Sequence, residues 1–132
     1  MKNLQEGISI VLSPEKSEEF FHDSMCNSLG YMSGYGLELE YDKDEYKKSR
    51  EKLENPCWED VLLQMLKDGY SLTMVDVDYD GEYTRSITLG DVHDRVSKTP
   101  LQHLSDIIEE SGDATTGDVI LQTVFFGEVV FG

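Results

Sequence analysis

The chain has 132 residues, of which 39% are apolar, 29% charged and 10% aromatic, and its 11 Lys+Arg against 27 Asp+Glu give a formal net charge of −16. Apolar residues recur along the whole length, which excludes disorder throughout and fits a single domain over 1–132 with one core. The negative field repels phosphates, so direct binding to nucleic acid or to an anionic membrane is not expected, and no stretch approaches the roughly 20 apolar residues of a membrane-spanning helix.

Ile8 to Leu12 reads as a strand. It is too short for a signal core, and a cytoplasmic address is expected. The three prolines each follow a residue able to cap a helix, in Ser13-Pro14, Asn55-Pro56 and Thr99-Pro100. Proline lacks the N–H that the first turn leaves unbonded, and the preceding side-chain oxygen accepts from the second or third helical N–H. The first helix is expected from Pro14 to about Asn27, burying Phe21, Met25 and Leu29. Gly30 to Gly36 then reads as a tight connection with Tyr31 and Tyr35 folded onto the core. No phosphate cradle is expected there, because no Lys-Ser/Thr follows.

Gly36 to Tyr41 alternates apolar and acidic residues, as a strand does, and Asp44 to Glu54 suits a helix; one longer helix holding Leu39, Tyr46 and Leu53 is the alternative. From Asn55, the apolar residues Trp58, Val61, Leu62, Met65 and Leu66 share one helical face, with Glu59, Asp60, Lys67 and Asp68 turned away and Gly69 as the stop. Between Ser71 and Leu89 the period changes to two around Asp80-Gly81, the dipeptide of a type I′ turn. A two-residue loop there pairs Asp76 with Arg85, Met74 with Ile87 and Leu72 with Leu89. A short helix from Asp91 to Ser97 buries Val92 and Val96. A third proline-started helix, with Thr99 and Gln102 as a capping box, buries Leu101, Leu104 and Ile108 and ends near Gly112. From Thr116 the chain is apolar on all sides, which predicts a central buried helix to about Phe126 and then a short strand; a buried strand is the alternative. The fold class is α+β: a small mixed or antiparallel sheet built around the hairpin at 71–89 and packed against several helices.

Three constellations bear on chemistry. Asp76-Val77-Asp78-Tyr79-Asp80-Gly81 resembles the opening of an EF-hand calcium loop, which implies calcium held by the three aspartates, but Ile87 stands where the bidentate Glu belongs. A degenerate calcium-binding protein is therefore an alternative reading, and an acidic turn the leading one. His22 and Cys26 stand four apart on one helix, a spacing for two ligands of a soft metal. Cys57, His93 or His103 would have to complete the set, so no metal and no cofactor are expected. Cys57, just after Pro56, lies where a helix dipole activates a thiol; a Cys-dependent enzyme is the second alternative, opposed by Glu59 and Asp60. Both cysteines are expected reduced and buried, and no catalytic residue is assigned.

Charge is unevenly spread. No Lys or Arg occurs from Thr99 to Gly132, and Asp76, Asp78, Asp80 and Glu82 of the hairpin have only Arg85 beside them. With Asp106, Glu109, Glu110 and Asp113 they form the expected binding surface for a basic protein partner. The domain is then a non-enzymatic interaction module, a monomer or a homodimer through its apolar C-terminus. In size and acidity the chain resembles nucleic-acid mimics such as viral inhibitors of restriction or CRISPR enzymes. The resemblance implies a partner that handles DNA or RNA.

Overall fold

The computed structural model describes residues 11–100, 103 and 114–131. In chain order the elements are α1 (Pro14–Gly34), β1 (Leu37–Glu40), α2 (Lys43–Arg50), α3 (Trp58–Lys67), β2 (Leu72–Asp76), β3 (Arg85–Ile87), α4 (Leu89–Arg95, continued by a 3-10 turn at Val96–Lys98) and α5 (Ala114–Phe126). The sheet is antiparallel with order β1-β2-β3, and the fold is α+β as expected. Most of the strand expected at 8–12 and of the helix after Pro100 lies outside the described residues; Val11 and Leu12 form no strand.

Ser13 caps α1 as its sequence suggests, its Oγ accepting from the Lys16 N–H at 3.2 Å. The helix runs seven residues beyond the expected end at Asn27, through Gly30 to Gly34. Met32, buried in the core, explains this: burial of a large side chain outweighs the about 1 kcal/mol that each helical glycine costs. Tyr31 accordingly lies exposed on the helix instead of folding inward.

Asp42 separates strand from helix. Its Oδ1 accepts from the N–H groups of Asp44 and Glu45, so α2 begins at Lys43, and the longer-helix alternative does not form. α3 starts at Trp58, two residues later than Pro56 predicts, because Asn55 takes φ 49 and Cys57 becomes the cap. Its stripe Val61, Leu62, Met65, Leu66 is fully buried, and Gly69 at φ 91 ends it.

α5 is the buried central helix, with Ile120, Leu121, Val124 and Phe125 in the core. Its apolar side chains are used within the chain, and the tail beyond Phe126 is not a strand. α1 crosses α5 closely at Gly117, where an added Cβ would collide with Ser28 Oγ, itself donating to the Ala114 carbonyl at 2.6 Å. After Gly127 (φ 80) the chain turns back over α5. There Gln122 accepts from Val130 and Phe131 N–H, and the Phe131 ring stacks on Tyr35 at 5.1 Å.

The hairpin forms with a register shifted by two residues. Leu72 opposes Ile87 and Met74 opposes Arg85, so the expected Asp76–Arg85 pair does not exist. The type I′ turn survives: Asp80 and Gly81 have φ 54 and 82, and Glu82 N–H donates to the Tyr79 carbonyl at 3.1 Å. What changes is Asp76. It is buried, and its carboxylate accepts from the backbone N–H groups of Asp78, Tyr79 and Tyr83, while Thr84 Oγ1 accepts its own N–H. The ladder stops there and residues 77–84 become a loop. A shift of two preserves the alternation, so Leu72, Met74 and Ile87 still face the core.

Candidate functional site

β1 lies at the sheet edge, with Leu37 buried and Leu39 half-buried, so Glu38 and Glu40 point outward. At the start of this strand Val77 N–H donates to the Gly36 carbonyl, and the Asp78 carboxyl rests against Gly36, where any side chain would collide with it. The loop that follows exposes Asp78, Asp80 and Glu82. Among the described residues, none of Glu38, Glu40, Asp78, Asp80 and Glu82 forms an ion pair. Arg85 does not neutralise them; its guanidinium donates to the carbonyls of Glu82 and Thr84. The acids that do pair lie elsewhere, as in Glu18 with Lys67 and His93, or Asp68 with Lys52.

Of the eight carboxylates read as a binding surface, three are brought together on this loop. Asp76 is withdrawn, because a strand end needs its oxygens for three backbone N–H groups. Burial pushes its carboxyl up, but those N–H donors outweigh it and hold it below the usual carboxylate range. With its oxygens engaged and Ile87 buried in the core, Asp76 offers little to a calcium ion. Asp106, Glu109, Glu110 and Asp113 lie outside the described residues. Asp118 is buried, accepting from Tyr35 Oη at 2.7 Å and from Gln122. That contact, with burial, raises the Tyr35 hydroxyl to about 12. Glu38 and Glu40 lie outside the surface expected from the sequence, although the Leu-Glu-Leu-Glu alternation that turns them outward is legible there.

Beside the acidic edge is an apolar cleft of about 410 Å³ lined by Leu29, Met32, Leu37, Leu39, Trp58 and Glu38, among others. This is the size of a small-molecule or side-chain pocket. Trp58 is 39% exposed, unlike the rest of its helical stripe, and its Nε1 donates to Tyr41 Oη at 2.9 Å.

A second cluster forms where α1 meets the start of α3. His22 Nε2 lies 2.7 Å from Asp60 Oδ1, and Cys26 Sγ lies 3.8 Å from His22 Nδ1. Asp60 Oδ2 accepts from the Cys57 N–H at 3.1 Å. That bond, together with the Cys57 thiol and His22 and against burial, keeps the Asp60 carboxyl below the usual range. Cys57 thus joins His22, as the spacing of the chain alone did not require, while His93 pairs with Glu18 and His103 faces Thr116. Both cysteines are free and, against expectation, exposed. The helical pattern turns Asp60 away from the core; its partnership with His22, 38 residues away, leaves no trace in the sequence. The surroundings of Cys26 oppose thiolate formation at that residue: burial, Glu59, Cys57, Asp23 and Asp60 push its thiol up to about 11.

No helix of the described residues is long and apolar enough to cross a membrane. No family model, no curated protein and no solved structure matches this chain.

Proposed function

We propose that this chain is a non-enzymatic acidic interaction domain that takes a basic protein partner across the β1 edge and the loop at 77–84. The observation that carries this reading is the set of five exposed carboxylates along the β1 edge and the loop that adjoins its start, Glu38, Glu40, Asp78, Asp80 and Glu82, none in an ion pair among the described residues. Like charges gathered without counter-charge cost stability, and they raise the rate and salt sensitivity of encounter with a cation-rich surface. The neighbouring cleft, with Glu38 in its lining and Trp58 beside it, suits an apolar anchor flanked by lysine or arginine.

Mimicry of nucleic acid is the sharper form of the proposal. Alternate residues of a strand are about 6.6–6.8 Å apart, comparable to neighbouring phosphates, and Glu38 and Glu40 take the role that buried Asp76 does not fill. The test compares the parent with the variant Glu38→Gln/Glu40→Gln/Asp78→Asn/Asp80→Asn/Glu82→Gln, each immobilised and exposed to a native lysate at about 50 mM and then about 500 mM salt. A basic protein held only by the parent, released by salt and displaced by duplex DNA or RNA, is the expected result. Equal retention on the neutralised variant, or retention indifferent to salt, overturns the reading.

A further inference from the structure

We propose that His22, Cys57 and Asp60 form a binding site for Zn(II), with His22 Nε2, Cys57 Sγ and one Asp60 carboxylate oxygen as ligands. One donor atom from each of the three lies within 4.8 Å of the other two, and the residues come from two separate elements, α1 and the start of α3. Tetrahedral zinc with Zn–S of about 2.3 Å and Zn–N or Zn–O of about 2.0–2.2 Å sets its donors about 3.3–3.6 Å apart. The site reaches this by opening the 2.7 Å contact between His22 and Asp60 as the metal replaces the shared proton, and by rotating the exposed Cys57 side chain inward.

The surrounding groups hold these ligands as metal sites require. Asp60 keeps Oδ2 on the Cys57 N–H, which leaves Oδ1 directed at the imidazole and at the incoming ion. On the other side of the ring, Asp23 Oδ1 at 3.7 Å and Cys26 Sγ at 3.8 Å face Nδ1. When the metal takes Nε2, the proton that Nε2 shares with Asp60 passes through solvent to Nδ1, on the side that faces Asp23 and Cys26, and this is the tautomer that zinc-bound histidines usually show. A donor set of one imidazole, one thiolate and one carboxylate selects zinc over calcium or magnesium, which take oxygen alone. On binding, the Cys57 thiol releases its proton to solvent and its sulfur donates an electron pair to the metal; the imidazole proton leaves Nε2 for Nδ1 through solvent, so that the freed Nε2 lone pair and one from the Asp60 carboxylate complete the protein's share. Three protein ligands leave the fourth position to water.

The test titrates Co(II), then Zn(II), into reduced, chelator-treated protein. The expected result is one equivalent of Co(II) giving the visible bands of tetrahedral cobalt and a near-ultraviolet thiolate-to-metal band, both removed by Zn(II) and unchanged by excess Ca(II). Cys57→Ser should remove the thiolate band, and His22→Ala should weaken binding at least tenfold. Both residues lie outside the core, and a thermal melt confirms that each variant is folded. Cys26→Ser should retain the thiolate band and a comparable affinity. No thiolate band in the parent, the same band in Cys57→Ser, or its loss in Cys26→Ser overturns the assignment; weak uptake without that band is diffuse binding to surface carboxylates and overturns it equally.

Discussion

Replacing Gln122 by leucine tests whether the C-terminal segment is part of the folded core. Gln122 is fully buried; its Oε1 accepts from the N–H groups of Val130 and Phe131 at 2.8 and 2.7 Å, and its Nε2 donates to the Phe131 carbonyl at 2.9 Å and to Asp118 at 3.1 Å. Leucine keeps the volume and the apolar stem but makes none of these bonds. At about 1 kcal/mol net per bond, the three to the tail contribute about 3 kcal/mol. The loss is capped by the docking energy of the tail, because its N–H groups bond to water once it leaves. Departure also removes the stacking of Phe131 on Tyr35 and its edge contact with Tyr83 at 5.2 Å, about 0.5–1.5 kcal/mol per pair. The expected cost is about 2–4 kcal/mol, a fall in Tm of about 10 °C for a domain of this size. Thermal melts, with hydrogen exchange at the amides of Val130 and Phe131, are the assay. A Tm within about 2 °C of the parent, with both amides still protected, refutes the reasoning. Since Phe131 also contacts Tyr79 in the acidic loop, release should loosen the surface proposed for the partner.

Gly117→Ala should destabilise by about 1–3 kcal/mol although alanine favours helix, because the new Cβ would stand 3.1 Å from Ser28 Cβ and press on a hydroxyl already bonded to Ala114; an unchanged melting curve would show that α1 and α5 part freely. Acid should weaken the fold as pH falls through the carboxylate range. Asp68, held low first by Lys52 and then by Ser49 and Gln64, binds a proton more readily when unfolded than folded, so its contribution is present above about pH 4 and lost below; Asp68→Asn should flatten the loss in melts across pH 3 to 6. Alkali acts in the opposite sense at Tyr35: its folded pKa near 12 lies above the ordinary value of 10, so stability should fall between those values, and Tyr35→Phe should lessen the fall. At neutral pH Cys26 should react with iodoacetamide about tenfold more slowly than an unperturbed thiol, the smaller thiolate fraction being partly offset by the greater nucleophilicity of a more basic sulfur, read by mass spectrometry of the alkylated peptide; equal rates would refute the acidic, partly desolvated setting assigned to it.

Local chemistry was legible wherever one segment sufficed to satisfy it. The Ser13-Pro14 cap, the stripe from Val61 to Leu66 with Gly69 after it, the outward glutamates of Leu37–Glu40 and the left-handed pair Asp80-Gly81 each follow from backbone hydrogen bonding and side-chain period. Even the wrong hairpin register put Leu72, Met74 and Ile87 on the correct face, because a two-residue shift leaves a period of two unchanged. The tertiary structure decided the rest. Core burial of Met32 carried α1 past two glycines, and Asp76 turned inward to bond backbone N–H groups that the strands had left open. Packing of α1 against α3 joined His22 to Asp60, and the fold set five carboxylates along the β1 edge and the 77–84 loop with no ion pair among the described residues. Such outcomes depend on which surfaces meet, and the energies of burial and of pairing across long separations are not written in the spacing of neighbouring residues.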